Sequence, residues 1–405
     1  MDSKAAFKKC VWYALDGISQ VLEKFGARDP GSEGENRAQD YVTKELAGYC
    51  DEVTVEEFKV APKAFMGFVP VTGGLMLAAL GAYWVAPLWA AKLSLAGGAV
   101  AGIQFLKYKR LLDPLFPKRN SKNVMGVRYP FKGTRRRIIL SGHMDAAYEW
   151  RYSYHGGPLL MRVAVGGAIC SAAFKIITDV VSLVGRGKQP NWPAGGWKKL
   201  GLYQLLTLPF MVGTFFFTDF KRVVPGANDN LSGTFVAMAA MKYLKEMETR
   251  FPHTEVCCLI TGSEEAGLRG AKAYAERHQQ ELMQTETLFL ALETFRDLEH
   301  MAVYDRDMSG MVQNHRGASN LVQRAGTECD LKLPFSSIYV GASDAAAFSE
   351  AGIPATALAA MDPTPPRYYH TRLDNGDNLS RECIEKGLQV TLKAVEKFDE
   401  EGVGS

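Results

Sequence analysis

From Ala64 to Ala91 the chain runs for 28 residues without a charged side chain, and after Lys92 the apolar texture continues to Leu106. A helix on the surface of a soluble domain does not have that composition. Such a stretch is either core or material for a bilayer, where a span takes ~20 apolar residues. Gly73-Gly74, Gly81 and Gly97-Gly98-Ala99 offer the close-packing surfaces common in lipid. Tyr83, Trp84 and Trp89 sit around the middle of the double segment, as expected if that middle reaches an interface. Phe65–Leu106 therefore reads as a helical hairpin with its turn near Pro87–Lys92. Two further apolar blocks follow: Pro158 to about Val184, interrupted by Arg162 and Lys175, and Leu200–Thr218, uncharged until its end and carrying Pro209. The first and third blocks approach a span more cleanly than the second. The competing reading makes all three buried core helices of one large soluble domain. Both hairpin ends return to a cluster of Lys63, Lys107, Lys109, Arg110, Lys118 and Arg119, which the positive-inside tendency places in the cytoplasm. Seven scattered cysteines without a Cys-x-x-Cys pair agree with a reducing compartment.

Outside these blocks the texture is that of a soluble α/β protein. The N-terminus, with Lys4, Lys8, Lys9, Asp16 and Glu23 among apolar positions, reads as an amphipathic helix and lacks the unbroken apolar core of a signal peptide. Glu35–Cys50 has helical spacing, and Glu52–Val60 alternates like a strand. A net charge of +3 over 405 residues gives no argument for nucleic acid as a partner.

Five short stretches carry the chemistry: Ser-Gly-His143-Met-Asp145, Gly-Ala-Asn-Asp229-Asn-Leu-Ser-Gly, Thr-Gly-Ser-Glu264-Glu265-Ala-Gly, Leu-Ala-Leu-Glu293 and Tyr-Tyr-His370-Thr. Apolar strands Arg137–Leu140, Val256–Ile260 and Thr287–Leu292 run into His143, Glu264-Glu265 and Glu293 respectively. Ligands of an open α/β sheet bind beyond the carboxyl ends of its strands, so these side chains can meet in one crevice. Asp145 is placed to orient the His143 ring. Asp229, in a turn before a helix Leu231–Met247, can offer one oxygen to each of two cations. Adjacent Glu264 and Glu265 point apart, so one can ligate while the other handles protons. Nitrogen and oxygen donors without thiolate suit zinc, with cobalt or manganese as substitutes.

Taken singly, each motif has an ordinary reading. His-x-Asp is a common polar pair, Asp229 could cap the helix after it, and Glu264-Glu265 could be a solvated helix start. In combination the residues favour paired metals. His155, His253, His278, His300 and His315 have no such setting and read as surface or loop. Arg135-Arg136-Arg137 reads as an exposed strand approach, and Asp374 and Asp377 as part of a turn that positions His370.

These motifs resemble the dizinc exopeptidases of metallopeptidase family 28, which include aminopeptidase Y, bacterial leucyl aminopeptidases and glutamate carboxypeptidase. The resemblance covers residues 32–61, 121–150, 222–300 and 335–395, with the apolar blocks as insertions. It implies an α/β fold with a mixed, mostly parallel sheet flanked by helices, of the zinc exopeptidase (phosphorylase/hydrolase-like) kind. His143, Asp229, Glu265, Glu293 and His370 become ligands of two zinc ions, with Asp229 bridging. Glu264 becomes the general base, Asp145 the orienting aspartate, and Tyr339 an extra hydrogen-bond donor. Ser343-Asp344-Ala-Ala-Ala-Phe348 followed by Gly352-Ile-Pro354 resembles a late family segment. Two departures bear on specificity: Glu293 is a methylene longer than the aspartate usual in aminopeptidases, and Ala345 stands where many relatives carry histidine.

The expectation is a membrane-associated zinc aminopeptidase acting on peptides, its catalytic domain cytoplasmic. A carboxypeptidase or N-acyl-amino-acid amidohydrolase acting on acylated amino acids is the alternative, and a non-catalytic receptor or scaffold the third reading. The expected division is a catalytic domain from 1–61, 119–156 and 219–405, a hairpin insertion 62–118 and a second insertion 157–218.

Overall fold

Short β-branched and aliphatic runs form ten strands among the described residues: β1 (Glu52–Val60), β2 (Arg119–Arg128), β3 (Arg136–His143), β4 (Tyr148–Trp150), β5 (Thr218–Val223), β6 (Thr254–Thr261), β7 (Glu286–Phe295), β8 (Met301–Arg306), β9 (Phe335–Ser337) and β10 (Ala355–Ala360). They come from a computed structural model describing residues 2–188, 196–338, 340–364 and 366–404. The chain divides into two units, Met1–Pro62 with Pro117–Tyr148 and Val223–Ser405, and Lys63–Phe116 with Glu149–Arg222.

The first unit is built on an eight-stranded sheet in the order β1-β2-β6-β3-β7-β10-β8-β9. Its centre, β6-β3-β7-β10, is parallel, and antiparallel pairs lie outside it. Every residue of β6 is buried, as a strand covered on both faces requires. At the edge, β1 is mostly exposed, with Val53, Glu56 and Phe58 half-buried and Val60 buried. Register places His143 beside Thr261, and Ser141 beside Ala291, so the carboxyl ends of β3, β6 and β7 finish together. Helices flank the sheet. Ser3–Phe25 buries Cys10, Ala14, Ile18 and Val21 at helical spacing in a core shared with Phe235, Leu388 and Val395. Gly17 is required there, because a Cβ would come within 2.1 Å of the Phe235 ring.

The second unit is helical. Ala64–Val85 and Pro87–Ala101 form a hairpin turning at Ala86, and a π-helical turn, Gly102–Leu106, extends the second arm. Ring contacts of Phe65 and Phe68 with Phe105, at 6.0 and 5.1 Å, hold its open end. The second apolar block gives one long helix, Arg151–Lys188, interrupted at Gly157 (φ +57°). Lys175 is buried inside this unit, paired with Asp179 one turn later.

The third block differs from the expectation of a near-complete span. It folds as Gly196–Gln204, a 3-10 turn Leu205–Thr207 and a short helix Leu208–Gly213. Side chains explain the break. Gln204 Nε2 donates to Thr178 Oγ1 and Asp179 Oδ1, Thr207 Oγ1 donates to the Gln204 carbonyl, and Pro209 brings no N–H. Ala64–Val85, Pro87–Leu106 and Arg151–Gly185 are the helices long and apolar enough to cross a membrane among the described residues.

Candidate metal centre

The site lies at the carboxyl end of the parallel strands in the first unit. His143 is the last residue of β3, and Thr234 Oγ1 donates to its carbonyl at 2.8 Å. Its Nδ1 donates to the Asp145 carbonyl at 3.2 Å and lies 3.4 Å from Asp145 Oδ1, so Nε2 faces the crevice. The Asp145 carboxylate has closer partners than the ring. It accepts from the Glu264 and Glu265 amides, both at 2.9 Å, and so fixes the turn that aims those two side chains. That turn follows β6 and needs left-handed backbone at Ser263 (φ +57°) and Leu268 (φ +62°).

Asp229 sits in the turn Ala227–Ser232, ahead of a helix that starts at Gly233 rather than at Leu231. It does not cap that helix. Its Oδ1 lies 3.4 Å from His143 Nε2 and its Oδ2 3.0 Å from His370 Nε2. One carboxylate thus presents a different oxygen to each imidazole. Glu293 Oε2 lies 3.8 Å from His143 Nε2, and Glu265 Oε1 3.3 Å from His370 Nε2. Two donor groups result, His143–Asp229–Glu293 and Asp229–Glu265–His370, with Asp229 common to both. Glu264 Oε2, 3.8 Å from His143 Nε2, belongs to a third grouping, and its side chain is the most exposed of the set at 13%.

The electrostatics call for cations. Burial, with mutual repulsion after it, pushes the carboxyls of Glu264, Glu265 and Glu293 above the ordinary range. Asp229, which burial alone would raise, is held well below that range by His143 and His370. Burial would lower both imidazoles, yet the surrounding carboxylates raise them, His370 to about 10. Asp229 Oδ2 and Glu265 Oε1 are buried without a hydrogen-bond donor. Buried carboxylate oxygens facing one another without donors are what a divalent ion satisfies, and the mixed N/O donor set fits zinc.

Several supporting residues escaped the sequence reading. Asp374, read from the sequence as part of a turn that positions His370, holds the turn of Asp229. Its Oδ1 accepts from the Asn228 amide and side chain and its Oδ2 from the Asp229 amide, gripping the turn that carries Asp229. Burial, then Asp229, pushes Asp374 up to about 7. Asn230 Nδ2 donates to Glu293 Oε2 at 2.8 Å and to the Leu292 carbonyl. Glu35 Oε1 accepts from the Ser263 amide at 2.6 Å, and burial raises its carboxyl to about 8. Arg28, fully buried, donates from Nε to the Met144 carbonyl and from Nη2 to that of Pro225, tying together the two ligand-bearing segments. Asp344 Oδ2 accepts from Thr261 Oγ1, and burial raises its carboxyl to about 6. Short polar spacings such as Asn-Asp-Asn hinted at Asn230; nothing local marked Arg28, whose partners are backbone carbonyls over a hundred residues away.

Tyr339 lies outside the described residues. His253, His278, His300 and His315 take no part in the centre. His278 pairs with Glu56 at 2.6 Å, and His315 caps the helix Arg316–Glu328. In the arginine run Arg135 is exposed, while Arg136 pairs with Glu286 and Arg137 with Glu255 and Glu281.

Residues 214–395 match peptidase family M28. The chain is 28% identical over 179 residues to aminopeptidase YwaD of Bacillus subtilis (strain 168), a stretch covering 42% of this chain and 37% of that relative. Among solved structures it is similar to BSAP, a zinc aminopeptidase from Bacillus subtilis (TM-score 0.57, 15% identity, 95% of this chain and 94% of that one). An aminopeptidase from Aneurinibacillus sp. strain AM-1 gives a TM-score of 0.56 at 15% identity, covering 95% and 93%. A glutaminyl cyclase from Bacteroides thetaiotaomicron gives 0.56 at 12%, covering 95% and 97%, so the fold by itself does not select one reaction.

Proposed function

We propose that the chain belongs to peptidase family M28, which matches residues 214–395, and that it is a membrane-associated zinc exopeptidase that removes amino-terminal residues from peptides. The observation that carries this reading is Asp229, whose two oxygens face two imidazoles within two donor groups. His143, Asp229 and Glu293 would hold one zinc ion, and Asp229, Glu265 and His370 the other; cobalt or manganese suit the same donors. Paired ions in such a site supply Lewis acidity toward the scissile carbonyl and acidify a water molecule.

The chain's own groups do the rest. Glu264 stands beside the ligands without being tied to either group that shares Asp229, so it is the carboxylate free to take a proton from the attacking water and return it to the departing amine. A positioned group of this kind contributes ~100- to 10,000-fold in rate. Asp145 holds both glutamates by their amides, so Glu264 and the ligand Glu265 move as one piece. Asp374 and Asn230 fix the bridging turn and the Glu293 carboxylate in register with them.

Membrane association rests on the three long apolar helices of the second unit and on side chains such as Leu159 (71% exposed) and Leu206 (74%) that a soluble surface would not display together. The basic residues at the hairpin's open end support a cytoplasmic side for the catalytic unit by the positive-inside tendency. Glu293 and the apolar unit favour a second reading, a carboxypeptidase or N-acyl-amino-acid amidohydrolase taking a lipid-like acylated substrate. A peptide panel with free and blocked termini separates the two. Cleavage that requires a free amine supports the aminopeptidase; cleavage that ignores the amine and requires a free carboxylate defeats it. Zinc content well below one ion per chain, with no hydrolysis, would favour the scaffold reading.

A further inference from the structure

Charge is divided very unevenly along this chain. The second unit holds fourteen Lys and Arg against four Asp and Glu, an excess of +10, while the whole chain carries only +3, so the first unit stands at −7. Within the second unit the charges are also sorted by position. At the open end of the hairpin, Lys63 Nζ lies 5.9 Å from the Phe220 ring, which brings Lys221 and Arg222 to the end where Lys107, Lys109 and Arg110 leave the helix. All six side chains are exposed. Two of the few acids there are already engaged, Asp219 by Arg151 at 3.2 Å and Glu149 by Arg222 at 3.6 Å. At the opposite end, Tyr83 donates to the Trp197 carbonyl and Trp84 packs on Trp197. Exposed Lys198 and Lys199 follow directly, and Lys92 lies over Trp89.

Between the ends the surface is apolar, with Val163, Ile169, Ile177 and Val181 exposed along one helix. Arg162 is exposed at the start of this stretch, its Nε donating to the Pro158 carbonyl, and further along Lys175 and Asp179 are turned inward and neutralise each other. Basic and aromatic ends around an apolar waist, with internal charge cancelled, are complementary to a bilayer whose headgroups are negative. A second copy of the same surface would bring +10 against +10 and be repelled.

We propose that the second unit is a docking module for anionic phospholipid, selecting negatively charged headgroups over zwitterionic ones through its two basic ends. The proposal rests on the membrane reading above and goes beyond it in naming the lipid. Each Lys or Arg near an anionic surface contributes on the order of one tenfold step or less, and salt screens the attraction once the Debye length falls to a few ångström.

The test uses the full, zinc-loaded chain in mild nonionic detergent. It is offered two differently dyed vesicle populations in one tube, pure phosphatidylcholine and a 7:3 mixture with phosphatidylglycerol, as detergent is removed. At low salt about tenfold more chain should float with the anionic vesicles, and at ~500 mM salt the preference should shrink below about twofold. Lys107→Gln/Lys109→Gln/Lys221→Gln should lose most of the preference while peptide hydrolysis stays within about twofold. Equal flotation with both vesicles at low salt overturns the headgroup selection and leaves the membrane reading standing. A chain that floats with neither and is monomeric without detergent overturns both. A chain that floats with neither and forms a defined oligomer makes a second copy the occupant and also overturns the proposal.

Discussion

Asp229 is a buried acid and Glu264 a half-buried one, and their surroundings suit them to separate tasks. Asp229 is pinned by the Asp374 carboxylate through its own amide and by an imidazole on each side, a setting for holding charge in place. Glu264 has its amide fixed but its carboxylate less confined. Glu264→Gln is therefore expected to retain two metals by elemental analysis and lose ~100- to 10,000-fold in turnover; metal loss in that variant would make it a ligand instead. Arg28→Met should act differently. It leaves the buried Met144 carbonyl unpaired, at a cost of ~1–3 kcal/mol, and the half-buried Pro225 carbonyl at a smaller one, visible as a lower melting temperature and weaker zinc binding, with Arg28→Lys recovering part. The candidate ligands were legible in the sequence because each sits in a short motif, and those of His143, Glu265 and Glu293 follow apolar strands. Arg28 and Glu35 were not, because a buried side chain that binds main-chain groups leaves no pattern near itself, and Asp374 was read as part of the turn that positions His370 without its grip on the Asn228 and Asp229 amides.

At the scale of elements, the strands leading to His143, Glu264 and Glu293 were readable from apolar runs, and the helix after Asp229 was placed within two residues. The third apolar block misled, since composition counts apolar residues but does not see that Gln204 and Thr207 find partners inside the unit and break the helix. Lys175 and Asp179 test that packing. Asp179→Leu strands a buried ammonium and should cost ~3–5 kcal/mol, whereas Lys175→Met/Asp179→Leu together should recover most of it in thermal unfolding. The Arg250–Asp51 clamp, with two contacts at 2.7 and 2.6 Å, tests the first unit. Hydrogen bonding by Arg250 lowers Asp51 to about 2. A depressed acid contributes stability above its unfolded value near ~4 and loses it as pH falls toward 2. Because the pair is partly exposed, the effect should stay below ~1 kcal/mol. Asp51→Asn should flatten that part of the acid melting curve, and an unchanged slope would remove the clamp from the acid response.

For the whole molecule, sequence texture separates an apolar part from an α/β part, and the chain divides into two units, one of them mainly apolar helices. What the sequence could not convey is how distant acids, repelling one another in a buried crevice, depend on an added cation to be at ease. Chelation should therefore lower the melting temperature of the first unit, and zinc at ~1,000 times its Kd should restore about 4 kcal/mol. The most direct measurement is anomalous diffraction at the zinc edge from crystals of the zinc-loaded chain. Two peaks are expected flanking the Asp229 carboxylate, one beside His143 and Glu293 and the other beside Glu265 and His370. A single peak, or metal bound away from Asp229, would contradict a bridged pair.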